Sequence, residues 1–256
     1  GETNAPDGDA LETKFVLLRG GDTLFRAADP GIMEFRYIRW SGERMLKSNT
    51  VTVLPFLPNL TTVRNFPSPG SRVIVFGDSL ARGVGAGNGE DLASLLGTQL
   101  SVPVINAGVA GDTTRDALLR LERDVLSQSP QGVGLILGAN DERPLPGHVE
   151  SGVPRSGTIA NLREIVRQIQ ERSALVFLVG VLDFIPELAV LYQGLAQETG
   201  NAYLPNALED LWLDQRFMAD TVHPNSRGYE RIFRRIAPAV EALFTPRTLR
   251  IARDRD

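Results

Sequence analysis

The 256-residue chain contains no cysteine. Disulfides, thiolate nucleophiles and cysteine-ligated zinc are excluded, while the redox compartment stays open, because a lack of cysteine suits cytosol and export alike. No apolar run approaches the roughly 18 to 20 residues that a membrane-spanning helix needs. A dominant charge of one sign is also missing: 27 basic and 31 acidic residues, mixed along most of the chain, leave a formal net charge of −4. Without a basic stripe and interleaved aromatics there is no electrostatic case for nucleic acid. Fixed-period repeats and low-complexity tracts are absent too. The first residue is Gly1 rather than methionine, which fits a processed or trimmed chain and accommodates a removed export signal, so the compartment stays unknown. The sequon at Asn59, Leu60 and Thr61 would matter only in a glycosylating compartment.

What is present is a composition 42% hydrophobic and 23% charged, that of a soluble globular protein with one substantial core and an appendage. Residues 1–13 are polar and turn-forming and read as a mobile end. Three extended runs follow, at 14–19, 34–40 and 50–56, and "NFPSPGS" at 65–71 reads as a connector. Residues 1–68 are thus expected to form a β-rich extension, a region that could serve oligomer or partner contact. From Arg72 onward short apolar runs alternate with stretches of helical period, the pattern of βα units around a parallel sheet. Strands are expected at Val73–Phe76, Val102–Asn106, Val133–Leu137, Leu175–Val181 and Ala202–Leu204. Helices are expected at Thr114–Leu126, at Thr158–Glu171 and along the stripe Tyr229, Ile232, Phe233, Ile236, Val240 and Leu243, with Pro238 bending the last. The main domain spans 69–244, and 245–256 form a charged tail.

In an open parallel sheet, ligands bind beyond the carboxyl ends of the strands, where loops diverge and helix N-termini point outward. The loops there read "GDSLARG", "NAGVAGDTT", "GANDERP" and, before the last helix, "DTVHPNS". His223 precedes Pro224, which pushes it out of the helix and toward the cleft. Asp220, three residues earlier, is close enough to hold the imidazole Nδ1 proton. Ser79 supplies the hydroxyl that such a pair would activate, because serine is a poor nucleophile without a base. An oxyanion would be met by the Ser79 amide, the backbone at Gly111 and the side-chain N–H of Asn140. Asp78, Asp112 and Asp141 are read as braces of the loops. His148, in a Pro/Gly loop, is read as exposed.

The stretches "GDSL" at 77–80, "AGDT" at 110–113, "GAND" at 138–141 and "DTVH" at 220–223 resemble, in order, the four sequence blocks of the SGNH, or GDSL, hydrolases. The likeness spans about residues 72–244, nearest the lysophospholipase L1, thioesterase I and arylesterase branch. It implies a flavodoxin-like three-layer α/β/α sandwich with a mainly parallel five-stranded sheet. It also implies Ser79 as nucleophile, His223 as base, Asp220 as its partner, and Ser79, Gly111 and Asn140 as oxyanion donors. The third block has "GAND" where many relatives have two glycines, and the loop after it is long. The first 65 residues lie outside the resemblance.

The expectation is therefore a serine esterase acting on a small carboxylic ester or thioester through an acyl-enzyme, with no metal or organic cofactor implied. Carbohydrate O-deacetylation is the alternative within this chemistry, and a silent binding scaffold the alternative of another class. Phe184 and Ile185, in "VLDFIPEL" at 181–188, could wall an acyl site or belong to the core. A nucleotide site is disfavoured, because neither G-x-G-x-x-G nor a P-loop lysine is present. An ordinary α/β-hydrolase elbow would require glycine where Ala81 stands.

Overall fold

The computed structural model describes residues 15–17, 23–25, 35–41 and 44–51 as strands, and then residues 62–141, 153–181, 183, 185–212 and 214–244. The expectations for residues 1–13, Asn59, His148, Phe184 and the tail at 245–256 fall outside them. The chain divides into two compact units, Gly1–Pro55 and Phe56–Asp256.

The first unit holds two antiparallel pairs. Strand β1 (Phe15–Leu17) pairs with β2 (Thr23–Phe25), and β3 (Phe35–Ser41) with β4 (Arg44–Val51). The extended runs at 14–19 and 34–40 coincide with β1 and β3. Of the third run, at 50–56, residues 50 and 51 fall in β4 and residues 52–56 lie outside the described residues. Strand pairing brings 44–49 into the ladder although "RMLKSN" has little strand preference of its own, since sheet preference depends on context.

The second unit is built on five strands: β5 (Val73–Gly77), β6 (Val104–Gly108), β7 (Gly132–Ile136), β8 (Leu175–Val179) and β9 (Ala202–Leu204). Their spatial order is β6-β5-β7-β8-β9, and every pairing is parallel. This is the flavodoxin-like order, with a reversal of direction beside β5. The helices are α1 (Ser79–Arg82), α2 (Leu92–Gln99), α3 (Thr114–Asp124), α4 (Arg155–Glu171), α5 (Pro186–Thr199) and α6 (Ser226–Phe244). Right-handed crossovers put the β5-to-β6 connection on one face of the sheet and the three later ones on the other. Accordingly α2 packs on α6, and α4 packs on both α3 and α5. The result is the expected α/β/α sandwich.

Burial explains these elements. The central strands VIVFG, GVGLI and LVFLV are buried at every position, as strands covered on both faces must be. Helix α3 opens with a reciprocal cap between Thr113 and Asp116, which satisfies amides that have no carbonyl one turn back. Helix α6 buries Tyr229, Ile232, Ile236, Val240 and Leu243 and runs unbroken through Pro238. Helix α5 was not expected from the sequence. Pro186 at its start and Gly200, left-handed at its end, delimit it, and both are recognised helix boundary signals.

Residues 62–68 are tied into this second unit. Asn65 donates from Nδ2 to the carbonyls of Gln170 and Ala174, both at 2.9 Å, and Ser68 Oγ donates to the carbonyl of Ser173 at 2.8 Å.

Candidate active site

The sheet register assembles the site. Gly77, the last residue of β5, pairs with Gly108 of β6 on one side and with Ile136 of β7 on the other. The segments that follow these three positions therefore leave the sheet side by side, at the point where strand order reverses. They carry Asp78 and Ser79, Val109 to Thr113, and Leu137 to Asp141. Glycine is required at two of these strand ends by close approach: a Cβ on Gly77 would lie 1.7 Å from the Ile136 carbonyl oxygen, and one on Gly108 would lie 2.1 Å from the Arg82 nitrogen.

Ser79 is the first residue of α1, so its amide has no carbonyl one turn back. Asp78 caps this helix: Oδ1 accepts from the Leu80 amide at 2.9 Å. Its side chain is wholly buried, and Oδ2 has no hydrogen-bond partner among the described residues. Burial above all, reinforced by the nearby carboxylates of Asp112 and Asp141, pushes the Asp78 carboxyl up to about 7 against the opposing Leu80 amide.

His223 sits in a narrow loop ahead of α6. Met218 bridges Pro224, the Ala219 amide donates to the His223 carbonyl at 2.8 Å, and the Asn225 amide donates to the Phe217 carbonyl at 2.8 Å. At the tip, the two oxygens of Asp220 have separate tasks. Oδ1 accepts the amides of Val222 and His223, each at 2.7 Å, and Oδ2 lies 2.8 Å from His223 Nδ1. Burial works against the Asp220 carboxylate, but the His223 ring and these two amides hold it below its ordinary range. A carboxylate can only accept here, so Nδ1 carries the proton and Nε2 is the free lone pair. That Nε2 lies 2.9 Å from Ser79 Oγ. The structure thus brings Ser79, His223 and Asp220 into one hydrogen-bonded line.

Gly111 and Asn140 lie on the two neighbouring segments. Gly111 has φ +86°, a backbone that L side chains rarely adopt, and the space where its Cβ would stand is open. Asn140 is buried and uses Nδ2 to donate to the Asp112 carbonyl at 2.9 Å. An amide nitrogen carries two protons, so this bond orients the side chain and spends only one. Ile185 stands at the start of α5, partly buried against the core.

The aspartates beside these residues act as braces. Asp141 accepts the Thr114 amide through Oδ1 at 2.8 Å and the Thr114 hydroxyl through Oδ2, joining the third segment to the start of α3. Asp112 accepts from the guanidinium of Arg120.

Several supporting residues escaped the sequence reading. Tyr192 of α5 donates its hydroxyl to the Leu137 carbonyl at 3.0 Å, and Tyr229 donates to the Val84 carbonyl at 3.1 Å. The Val84 amide in turn donates to the Ser79 carbonyl at 3.0 Å. Asn225 donates from Nδ2 to the carbonyls of Arg216 and Met218. Arg120 had a visible signal, since it shares the inward face of α3 with Ala117 and Leu121. Among the described residues no group of three or more histidine or acidic side chains is placed to hold a metal ion, and no helix is long and apolar enough to cross a membrane.

Residues 75–231 match the model of a family described as the GDSL-like lipase/acylhydrolase family. The chain is 26% identical over 182 residues to the thioesterase 1/protease 1/lysophospholipase L1 of Escherichia coli K12, covering 67% of this chain and 84% of that one. It is 31% identical over 116 residues to an acetylxylan esterase of Geobacillus stearothermophilus, covering 38% of this chain and 53% of that protein. A crystal structure of TesA superposes with a TM-score of 0.60 at 25% identity, over 68% of this chain and 99% of that one.

Proposed function

Because the chain belongs to the GDSL-like lipase/acylhydrolase family and is a hydrolase of ester bonds, we propose that it cleaves carboxylic esters through an acyl-enzyme on Ser79. His223 Nε2 takes the hydroxyl proton as Oγ attacks the ester carbonyl. Negative charge then develops on the carbonyl oxygen. The Ser79 amide, the Gly111 amide and the second N–H of Asn140 would receive it, each donor being worth about 2.7 to 4 kcal/mol in such sites. His223 returns the proton to the leaving alcohol, and the acyl group stays on Oγ. Water, deprotonated by His223, then attacks the acyl carbonyl; the bond to Oγ breaks, His223 returns the proton to Ser79 Oγ, and the acid leaves. Asp220 keeps the proton on Nδ1 throughout and stabilises the imidazolium that forms. The observation that carries this reading is the line from Asp220 Oδ2 to His223 Nδ1 at 2.8 Å and from His223 Nε2 to Ser79 Oγ at 2.9 Å.

Two substrate classes suit the chemistry. Esters and thioesters of aliphatic acids are favoured by the likeness to the thioesterase of Escherichia coli. Removal of acetyl groups from carbohydrate is the second reading, favoured by the likeness to an acetylxylan esterase. Retention of Ser79, His223, Asp220 and Asn140 speaks against a silent scaffold. The test compares hydrolysis of p-nitrophenyl esters of increasing acyl length with deacetylation of an acetylated xylo-oligosaccharide, in wild type and Ser79→Ala. Turnover that vanishes in Ser79→Ala supports the mechanism, and the preferred substrate separates the two readings. Undiminished turnover in that variant overturns both.

A further inference from the structure

The proposed chemistry gives Arg120 no step, yet its side chain is buried beneath the site at 8% exposure. A guanidinium presents five N–H donors in a rigid planar fork, and here they are divided among several elements. Nε donates to the Asp112 carboxylate. One terminal nitrogen donates to the Gly77 carbonyl at 2.9 Å. The other donates to the Ala107 carbonyl at 2.8 Å and to the Asp124 carboxylate at 3.0 Å. The plane lies over Phe76, with Cζ 4.3 Å from the ring centroid.

The partners are the roots of the site. Gly77 ends β5 and leads directly into Asp78 and Ser79. Ala107 lies in β6, ahead of the segment that carries Gly111, and Asp112 follows Gly111. The Asp112 carbonyl in turn accepts the Asn140 side chain at 2.9 Å. One buried cation therefore ties the turn bearing Ser79 to the turn bearing Gly111, and through the Asp112 backbone it reaches Asn140.

We propose that Arg120 is a positioning residue that sets the spacing of the oxyanion donors around Ser79, an inference that rests on the acyl-enzyme reading above. Preorganised donors act through their placement, and a shift of about 1 Å can cost on the order of 10²-fold in rate. Lysine cannot replace the fork, because a single ammonium does not reach Gly77, Ala107 and Asp112 together in one plane. Asp124 is the internal control. Its side chain pairs with Arg120 and Arg123, both on its own helix.

The experiment measures kcat and KM for p-nitrophenyl acetate in Arg120→Lys, Arg120→Gln, Asp112→Ala and Asp124→Asn, with folding checked by circular dichroism and thermal melting. Folded Arg120 variants and Asp112→Ala should lose roughly 10- to 100-fold in kcat with KM within about twofold, while Asp124→Asn keeps kcat within about twofold. If Arg120→Gln fails to fold, Arg120→Lys carries the test, and Asp112→Ala removes the acceptor and breaks the same link from the other side. Wild-type kcat in the folded variants, or a loss expressed in KM, overturns the proposal. Labelling of the wild type by a phosphonate is measured alongside. A wild type that does not label at Ser79 fails the acyl-enzyme reading, whereas a labelled wild type with fully active variants fails only the role of Arg120.

Discussion

His223 Nε2 lies 2.9 Å from Ser79 Oγ, although the two residues are 144 positions apart in sequence. The contact depends on two independent pieces of folding. The sheet delivers Ser79 at the end of β5, and the bridge from Met218 to Pro224 delivers His223 from the other side.

Asp220→Asn tests the orienting half of that arrangement. An asparagine in this place can present an N–H to Nδ1, which favours the tautomer with the proton on Nε2 and leaves Ser79 without a base. We expect kcat to fall by on the order of 10³- to 10⁴-fold with the fold retained. Stopped assays on p-nitrophenyl acetate check it, and a loss below tenfold would contradict the role.

Asn140→Ala removes the proposed oxyanion donor and leaves Ser79 and His223 in place. Turnover should drop by roughly 10²- to 10³-fold, with KM little changed, because the interaction is made with charge that develops only in the transition state. Near-wild-type kcat would sink the oxyanion role of Asn140.

Asp78→Asn bears on stability rather than chemistry. Burial pushes the Asp78 carboxyl up from 3.8 to about 7, so the native state prefers to hold this proton. The stability associated with it is whole below about pH 4 and is lost as pH rises toward about 7. The asparagine variant keeps an acceptor for the Leu80 amide and has no proton to lose. Relative to wild type it should therefore gain on the order of 2 kcal/mol between pH 5 and pH 8. Urea unfolding at the two pH values checks this, and a difference independent of pH would refute it.

Asp141→Ala should lower stability by about 1 to 3 kcal/mol, since it leaves the buried Thr114 amide without its cap and removes an acceptor from the Thr114 hydroxyl. Asn161 Nδ2 still donates to that hydroxyl at 3.0 Å but cannot accept from it in that role. A urea midpoint equal to wild type would show that the brace is dispensable.

Much of this was legible because burial writes itself into composition. The central strands VIVFG and LVFLV are apolar at every position, and the loops after strands concentrate the polar residues that a bare turn would not need. The three-residue spacing of Asp220 and His223 was readable for a similar reason, since a carboxylate so close in a tight loop can reach only a few atoms. Strand β6 was expected at Val102 and begins at Val104, because an edge strand is half exposed and its apolar run does not mark its limits. Only the first three residues of helix α5 lie in "VLDFIPEL", whose apolar residues suit an acyl-site wall and a core equally. Yet Leu188 is buried in the core and Asp183 turns inward to accept from the Tyr203 hydroxyl and the Asn206 amide. Arg120 was missed because a charge in a helix is ordinarily read as solvated. Two of its four hydrogen-bond partners are the backbone carbonyls of Gly77 and Ala107, and no sequence pattern records those.

The central claim is that Ser79 forms a covalent intermediate with the help of His223. The most direct measurement is the mass of the intact protein after incubation with a p-nitrophenyl alkylphosphonate, followed by peptide mapping. One equivalent of adduct on Ser79 in wild type, with labelling strongly slowed in His223→Ala, is the predicted result. Folded wild type that gains no mass, or carries the adduct on another residue, would contradict the account.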